Sequence, residues 1–568
     1  MFNIDRYLYL AQAGVTPSKF KKTFLTNMLV AFSFSFLLLF ISLLFKSHLL
    51  PISIPDEMIF NILLWFSPFP SVITLILSVE PLLKGYNELK QVEKELPFTS
   101  ALLTLYGVAG LPPSSAISKL GSFSDIFPAS GRMSKRIEKL KQLYALDEWT
   151  AVKKEAEIMG SEAIQDFIFS IVGTIRSGVD LYIMLRDKMK SSFMILKESY
   201  VRLSETMKTM ADVILVLFGV LPMVLFTLYS MFATRESLLQ IQAYSYVFVP
   251  LLTMLIIWII DSLYPRTPIS FMNFYKRIIY YVPISVTSGI IIFFVLQLLS
   301  EVINYISMYI ITLSLFFAIF PVSVIEGIRF YRKIQKLNRI ENMLPSFLRD
   351  MTEEIKRGVS PILAISSLVK IKTYNKEFDE LLSKVERAVV SGSSFEDAVR
   401  SVKDDLSWNG LVIFSLLSEA IKFGGKGEVF EEVTNITREI TDTNKVIKQN
   451  ISPLKMFSFM TMMLLILVIG ILIRIIVIPL SEWGSVFSMA QTRIASVMMF
   501  SFQVVSKEKL PSFIDIVFSG MIINAVSLGL LTGKISENKI GVGLIYVVIY
   551  LLISLVSMFI IMLGVNIG

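Results

Sequence analysis

LPFTSALLTLYGVAGLPPSSAISKL, residues 96–120, returns 248 positions later as LPSFLRDMTEEIKRGVSPILAISSL, residues 344–368, without a gap. Nine of the 25 positions are identical: Leu96/Leu344, Pro97/Pro345, Thr104/Thr352, Gly110/Gly358, Pro113/Pro361, Ala116/Ala364, Ile117/Ile365, Ser118/Ser366 and Leu120/Leu368. Each copy opens a polar region of similar length between apolar runs, so the chain carries a duplicated module. Pro97 and Pro345 are expected in the first turn of a helix, where the missing N–H has no partner to lose. Gly110 and Gly358 are expected at the helix end, where a positive φ is wanted. A second helix should follow Pro113 and Pro361.

Working outward, the apolar content is too high for a soluble protein. Of 568 residues 54% are hydrophobic and only 18% charged, and the mean hydropathy is +0.66. A helix needs about 20 apolar residues to cross a ~30 Å hydrocarbon core. Nine runs qualify: 27–45, 59–79, 213–232, 244–263, 278–299, 303–325, 457–480, 513–533 and 542–565. Prolines 68 and 70 interrupt the second, and Asp515 and Asn524 lie in the eighth. The expected layout is residues 1–83 with two spans, a module at 84–212, four spans in 213–325, a module at 326–456, and three spans in 457–568. No alternating apolar–polar run suggests a sheet. Apolar residues at three- and four-residue intervals in 163–175 and 411–422 predict helices. Ser393–Ser394–Phe395–Glu396 has capping-box spacing ahead of another. The fold class is therefore an all-α polytopic membrane protein with two antiparallel helical-bundle modules.

The charge sets orientation and excludes nucleic acid as a partner. The net +8 is spread: 84–212 has 18 Lys+Arg against 16 Asp+Glu, and 326–456 has 21 against 19. Neither is a basic stripe. Short loops rich in Lys and Arg stay inside. Arg6, Lys19, Lys21 and Lys22 precede the first span; Arg266, Lys276 and Arg277 lie in 264–277; Lys534 and Lys539 lie in 534–541. Between them, 46–58 holds only Lys46, 233–243 only Arg235 and 300–302 none, with the longer loop 481–512 a mild exception at Arg493, Lys507 and Lys509. The N-terminus and both modules are expected in the cytoplasm, and the C-terminus outside. The apolar run from residue 27 has no small-residue cleavage site after it, so no cleavable signal is expected. There is no cysteine, and His48 stands as the one histidine, so thiolate chemistry and histidine metal clusters have no residues to build on.

Three segments carry a resemblance. LPSFLRDMTEEIKRGVSPILAISSL, VVSGSSFEDAVRSV (389–402) and LLSEAIKFGGKGEVFEEV (416–433) together resemble the cytoplasmic domain of type II secretion F-type platform proteins. More narrowly they resemble the archaeal branch that serves type IV pili and the archaellum. The first module matches in its opening segment and more loosely in FSIVGTIRSGVDLYIMLRDK (169–188). The resemblance implies a membrane platform beneath a growing filament. It would couple a cytoplasmic hexameric secretion ATPase to movement of prepilin or archaellin subunits out of the bilayer. A dimer or trimer is the homo-oligomer expected from a symmetric filament on a hexameric motor. Nine spans and a diverged first copy depart from the bacterial pattern of three spans with similar tandem domains.

The residues add their own reading. Gly424–Gly425–Lys426 lacks the upstream glycine of a phosphate-binding loop, and Gly529…Gly533–Lys534 is one residue short and leads to isoleucine, so no nucleotide hydrolysis and no cofactor are expected. Energy must then arrive from a partner. The two opening helices differ: FTSALLTLYGVA (98–109) has no charge, whereas SFLRDMTEEIKR (346–357) carries Arg349, Asp350, Glu353, Glu354, Lys356 and Arg357. Phe347, Leu348, Met351 and Ile355 fall on one apolar stripe, leaving a charged face. Arg349, Glu353, Lys356 and Arg357 are therefore candidates for ATPase docking, with Glu419, Gly424, Gly425 and Glu428 as a neighbouring edge. Polar residues within spans are functional candidates by default; these are Arg474, Asp515 and Asn524. The alternative reading is a secondary transporter with cytoplasmic regulatory domains, but transporter repeats duplicate the spans themselves.

Overall fold

The computed structural model describes residues 4–12, 14, 16–46, 69–231, 240–264, 272–302, 304–371, 373–424, 426–479 and 510–563. Among them every regular element is helical. Eight helices are long and apolar enough to cross a membrane. Of the nine expected runs, the one at 59–79 is described only from residue 69 onward, and His48 and Gly425 lie outside the described residues. The chain is thus an all-α, multi-pass membrane protein.

Helix-forming sequence continues past the point where each apolar run ends, as ELKQVEKEL (88–96) and EGIRFYRKIQKLNRIENML (326–344). In consequence candidate spans and modules share helices, as in Ile310–Lys356. In chain order, α1 is Ile4–Leu10, α2 Pro17–Lys46 and α3 Phe69–Val108. The first module continues with α4 (Pro113–Leu120), α5 (Pro128–Tyr144), α6 (Glu148–Met159), α7 (Glu162–Ser177) and α8 (Leu181–Leu215). After α8 come α9 (Leu221–Met231), α10 (Val249–Leu263) and α11 (Met272–Ser300). The second module is built from α12 (Ile310–Lys356), α13 (Pro361–Ile371), α14 (Lys376–Val390), α15 (Phe395–Ser401), α16 (Trp408–Lys422) and α17 (Gly427–Ile451). The chain ends in α18 (Leu454–Ile471), α19 (Leu510–Glu537) and α20 (Ile540–Met562). Short π-helical turns at Val216–Val220, Tyr244–Phe248 and Leu472–Val477 adjoin α9, α10 and α18.

All four expected domain boundaries therefore fall inside continuous helices. With 47 residues, α12 is about 70 Å long, more than twice the ~30 Å hydrocarbon core. The chain packs as two units, Met1–Ser192 and Phe193–Gly568, so the break falls within α8.

Pro97 and Pro345 do not open helices, contrary to expectation; they lie inside α3 and α12. Each removes a bond to the carbonyl four residues earlier. That residue is a glutamate in both copies, Glu93 and Glu341. Gly110 and Gly358 end α3 and α12 with φ of +77° and +91°. The closing bonds match as well: Leu111 N donates to Tyr106 O and Val359 N to Glu354 O, six-residue returns that satisfy orphan carbonyls. Later, Gly178 and Gly424 stop α7 and α16 with φ of +70° and +85°.

In the second unit α19 is the most enclosed candidate span. It packs backbone to backbone on α20, where a Cβ on Gly533 would stand 2.0 Å from the amide nitrogen of Gly543. Small residues permit that approach.

Candidate functional site

The exposed end of the second module is set by where α12 stops and α17 starts. Phe347, Leu348, Met351 and Ile355 are buried, at 0–5% exposure, on the inner stripe of α12. Phe347 meets Phe378 and Tyr374 of the neighbouring α14 region, with ring centroids 5.4 and 6.1 Å away. Thr352 Oγ1 contacts Thr434 Oγ1 at 2.9 Å and donates toward Phe430 O, which draws α17 alongside. Arg349, Glu353, Lys356 and Arg357 consequently face water.

Arg349 stands 3.8 Å from the buried Asp350, whereas Lys356 and Arg357 pair across more exposed surface. Lys356 Nζ stands 2.6 Å from Glu431 of α17, and Arg357 2.9 Å from Glu354. Lys356 also lies against Gly427, where a Cβ would meet its side chain at 3.2 Å. The charged end of α12 therefore joins the edge formed by Gly424 and the exposed Glu428. Such exposed pairs contribute little to stability and exchange partners readily. Arg349 lies two turns back on α12.

Two residues depart from the sequence expectation. Glu419 is 2% exposed, not part of an open edge; Lys422, three residues on, covers it at 2.8 Å while also reaching Glu396 at 2.6 Å. Asp350 is 6% exposed and accepts the Tyr374 hydroxyl at 2.8 Å. Burial, then this carboxylate, pushes the Tyr374 hydroxyl above its ordinary range, so it stays a donor. The capping box shifts by one residue: Ser394, not Ser393, caps α15 and takes the Asp397 amide.

Behind the face sits a hub missed in the sequence. Glu341 accepts Ser407 Oγ, Asn409 Nδ2 and Asn444 Nδ2, at 2.5, 3.2 and 2.8 Å, tying α12 to α16 and α17. In the first module Glu93 accepts Ser161 Oγ at 2.7 Å. Ser161 and Ser407 are the N-cap residues of α7 and α16. Extending the repeat three residues toward the N-terminus pairs Glu93 with Glu341, which was the available signal.

The corresponding helix of the first module is buried from Phe98 to Tyr106, most of its uncharged stretch. Its polar contacts are different in kind. Arg136 bridges Glu88 (3.2 Å) and Glu155 (2.6 Å), with 5%, 8% and 0% of the side chains exposed. Arg132 adds a fork on Glu88, and Tyr9 of α1 donates to Glu155 at 3.0 Å. Glu95 reaches across from α3 to accept the Ala129 and Ser130 amides at the start of α5. Burial pulls the Lys94 ammonium down to about 7.

The polar residues within spans separate. Asp515 is 3% exposed and caps α12 from α19, accepting Ile311 N (2.8 Å), Thr312 N (3.0 Å) and Thr312 Oγ1 (2.7 Å). Tyr309, the N-cap residue itself, supplies no cap. A carboxylate on those orphan N–H groups is favoured by the helix dipole. Asn524, fully buried, donates to Gly520 O at 3.0 Å, while its Oδ1 has no hydrogen-bond partner. Arg474 lies on the π-helical turn Leu472–Val477 and is exposed, as a snorkelling side chain would be.

Residues 347–474 match the family model described as type II secretion system (T2SS), protein F. That segment opens at Phe347, takes in the charged face and the Gly424 turn, and closes at Arg474. No curated protein and no solved structure matches the chain.

Proposed function

We propose that this chain is the membrane platform of an archaeal type IV pilus or archaellum assembly machine. The observation that carries it is the T2SS protein F match across the one module whose opening helix presents a charged face. A cytoplasmic hexameric secretion ATPase docks on Arg349, Glu353, Lys356 and Arg357, with Gly424 and Glu428 beside them and Gly425 next in the chain. Its conformational work enters α12, which carries it into the bilayer in a single rod. Prepilin or archaellin subunits leave the bilayer as the spans shift, and no covalent step is needed. The first module, with an uncharged opening helix, packs within the platform, which works as a dimer or trimer.

The N-terminus and both modules lie in the cytoplasm and the C-terminus outside. Support comes from α1, which packs in the same unit as the first module and bonds to Glu155, so the two share a side. Deleting the gene tests the reading against a transporter: filaments vanish while solute uptake persists. Filaments that persist while a solute is no longer taken up would overturn it.

A further inference from the structure

A band of cations gathers where α11 enters and α12 leaves the apolar layer. These helices are antiparallel and cross on small residues. Ser285 Oγ donates to Ala318 O at 2.5 Å, and a Cβ on Gly289 would stand 2.9 Å from that of Ala318. Gly289 lies near the middle of the span Tyr275–Ser300, so the crossing marks the bilayer centre. Lys276 and Arg277 precede Gly289 by 13 and 12 residues; Arg329, Arg332 and Lys333 follow Ala318 by 11, 14 and 15. At a rise of 1.5 Å per residue all five lie about 17–23 Å from the centre, on one side. With a hydrocarbon core ~30 Å thick, that is headgroup depth.

The local chemistry fits that depth. Lys276, Arg277, Arg332 and Lys333 are exposed, and 54% of the Arg329 side chain is. Tyr280 and Tyr331, exposed by 78% and 41%, stand among them as interfacial aromatics do. Within 272–281 and 326–340 the sole acid is Glu326, which is buried and held by Arg329 at 2.7 Å. The nearby Asp261 is held by Lys534. The first module has no such surplus: at its matching exit Lys84, the counterpart of Arg332, is paired with Glu80 at 2.7 Å.

We propose that Lys276, Arg277, Arg329 and Arg332 form a collar that binds the phosphate of anionic lipids drawn from the surrounding bilayer. Charge clusters at this depth attract anionic headgroups. Because α12 continues from the collar into the second module, a bound headgroup also fixes the depth at which the rod leaves the membrane.

The test uses the full chain in vesicles of equal parts phosphatidylglycerol and phosphatidylcholine, with spin-labelled forms of each lipid. The wild type is expected to enrich labelled phosphatidylglycerol over phosphatidylcholine at its surface. K276Q/R277Q/R332Q should lower that preference by roughly five-fold per cation removed. The charge-retaining K276R/R277K/R332K should keep it, which separates charge from folding. An unchanged preference in the glutamine variant would overturn the collar. So would loss of the wild-type preference in millimolar inorganic phosphate, which would mark a site for soluble phosphate.

Discussion

The first and second modules share one plan and hold it together by different forces. Offsets of 248 and then 246 residues superpose their helices in order, from the glycine stops at 110 and 358 to those at 178 and 424. Inside the first, carboxylates and guanidinium groups are buried against one another. Inside the second, the same space between α12 and α14 is filled by Phe347, Tyr374 and Phe378, and the buried carboxylates Glu341, Asp350 and Glu419 meet neutral donors or exposed cations, with no buried guanidinium among the described residues. Position 136 is a buried arginine between two glutamates; its counterpart, Lys384, is half-exposed and bridges to Asp405 at 3.1 Å. The difference teaches that a duplicated bundle can keep its helix starts and stops while one copy buries an arginine between carboxylates and the other keeps the matching cation at the surface.

Replacing the paired positions breaks the comparison most sharply. Arg136→Met leaves Glu88 and Glu155 buried without their shared cation and should cost about 3–5 kcal/mol. Lys384→Met should cost less than about 1 kcal/mol. Hydrogen exchange on α5 and α14 in the full chain reads each loss locally; equal losses would refute the contrast between the buried arginine and the exposed lysine.

A pH effect should follow the same division. Lys94 has its folded pKa lowered to about 7 by burial, whereas the unfolded chain holds the proton up to about 10.5. Between those values the unfolded state binds more protons, so stability rises with pH through that window and is lowest below it. Hydrogen-exchange protection in α3 should grow from pH 7 toward 10, and Lys94→Met should flatten the growth. The second module has the exposed Asn342 at that position and should show no such slope.

Smaller again is the effect of Asn375→Ala, which removes the cap on the Phe378 amide (2.8 Å) and should cost about 1 kcal/mol in α14. The first module caps its equivalent helix from α3 through Glu95, so its start should be unaffected.

Much of this was legible in the sequence, and the gaps have a common cause. Period and punctuation gave the helical class, the glycine ends and the apolar stripe Phe347–Leu348–Met351–Ile355, because these depend on neighbours within a few turns. The prolines misled because a proline suits a first turn, yet α3 and α12 are already helical for many residues before them. Glu419 looked exposed beside a glycine turn, but its burial depends on Lys422 and Glu396. Glu95, Glu341 and Asp515 serve helices 34 to more than 200 residues away, as in the Glu95–Ala129 and Asp515–Thr312 bonds. No local pattern encodes such partners; for Glu341 the repeat itself was the signal.

The central claim is that only the second module offers its charges to the motor. The most direct measurement is the affinity of the secretion ATPase for the full chain in nanodiscs. R349Q/E353Q/K356Q/R357Q should weaken binding at least roughly tenfold. K135Q/E138Q/K139Q, on the exposed surface of α5, should leave it unchanged. Unchanged binding by the first variant, or an equal loss in the second, would contradict the account.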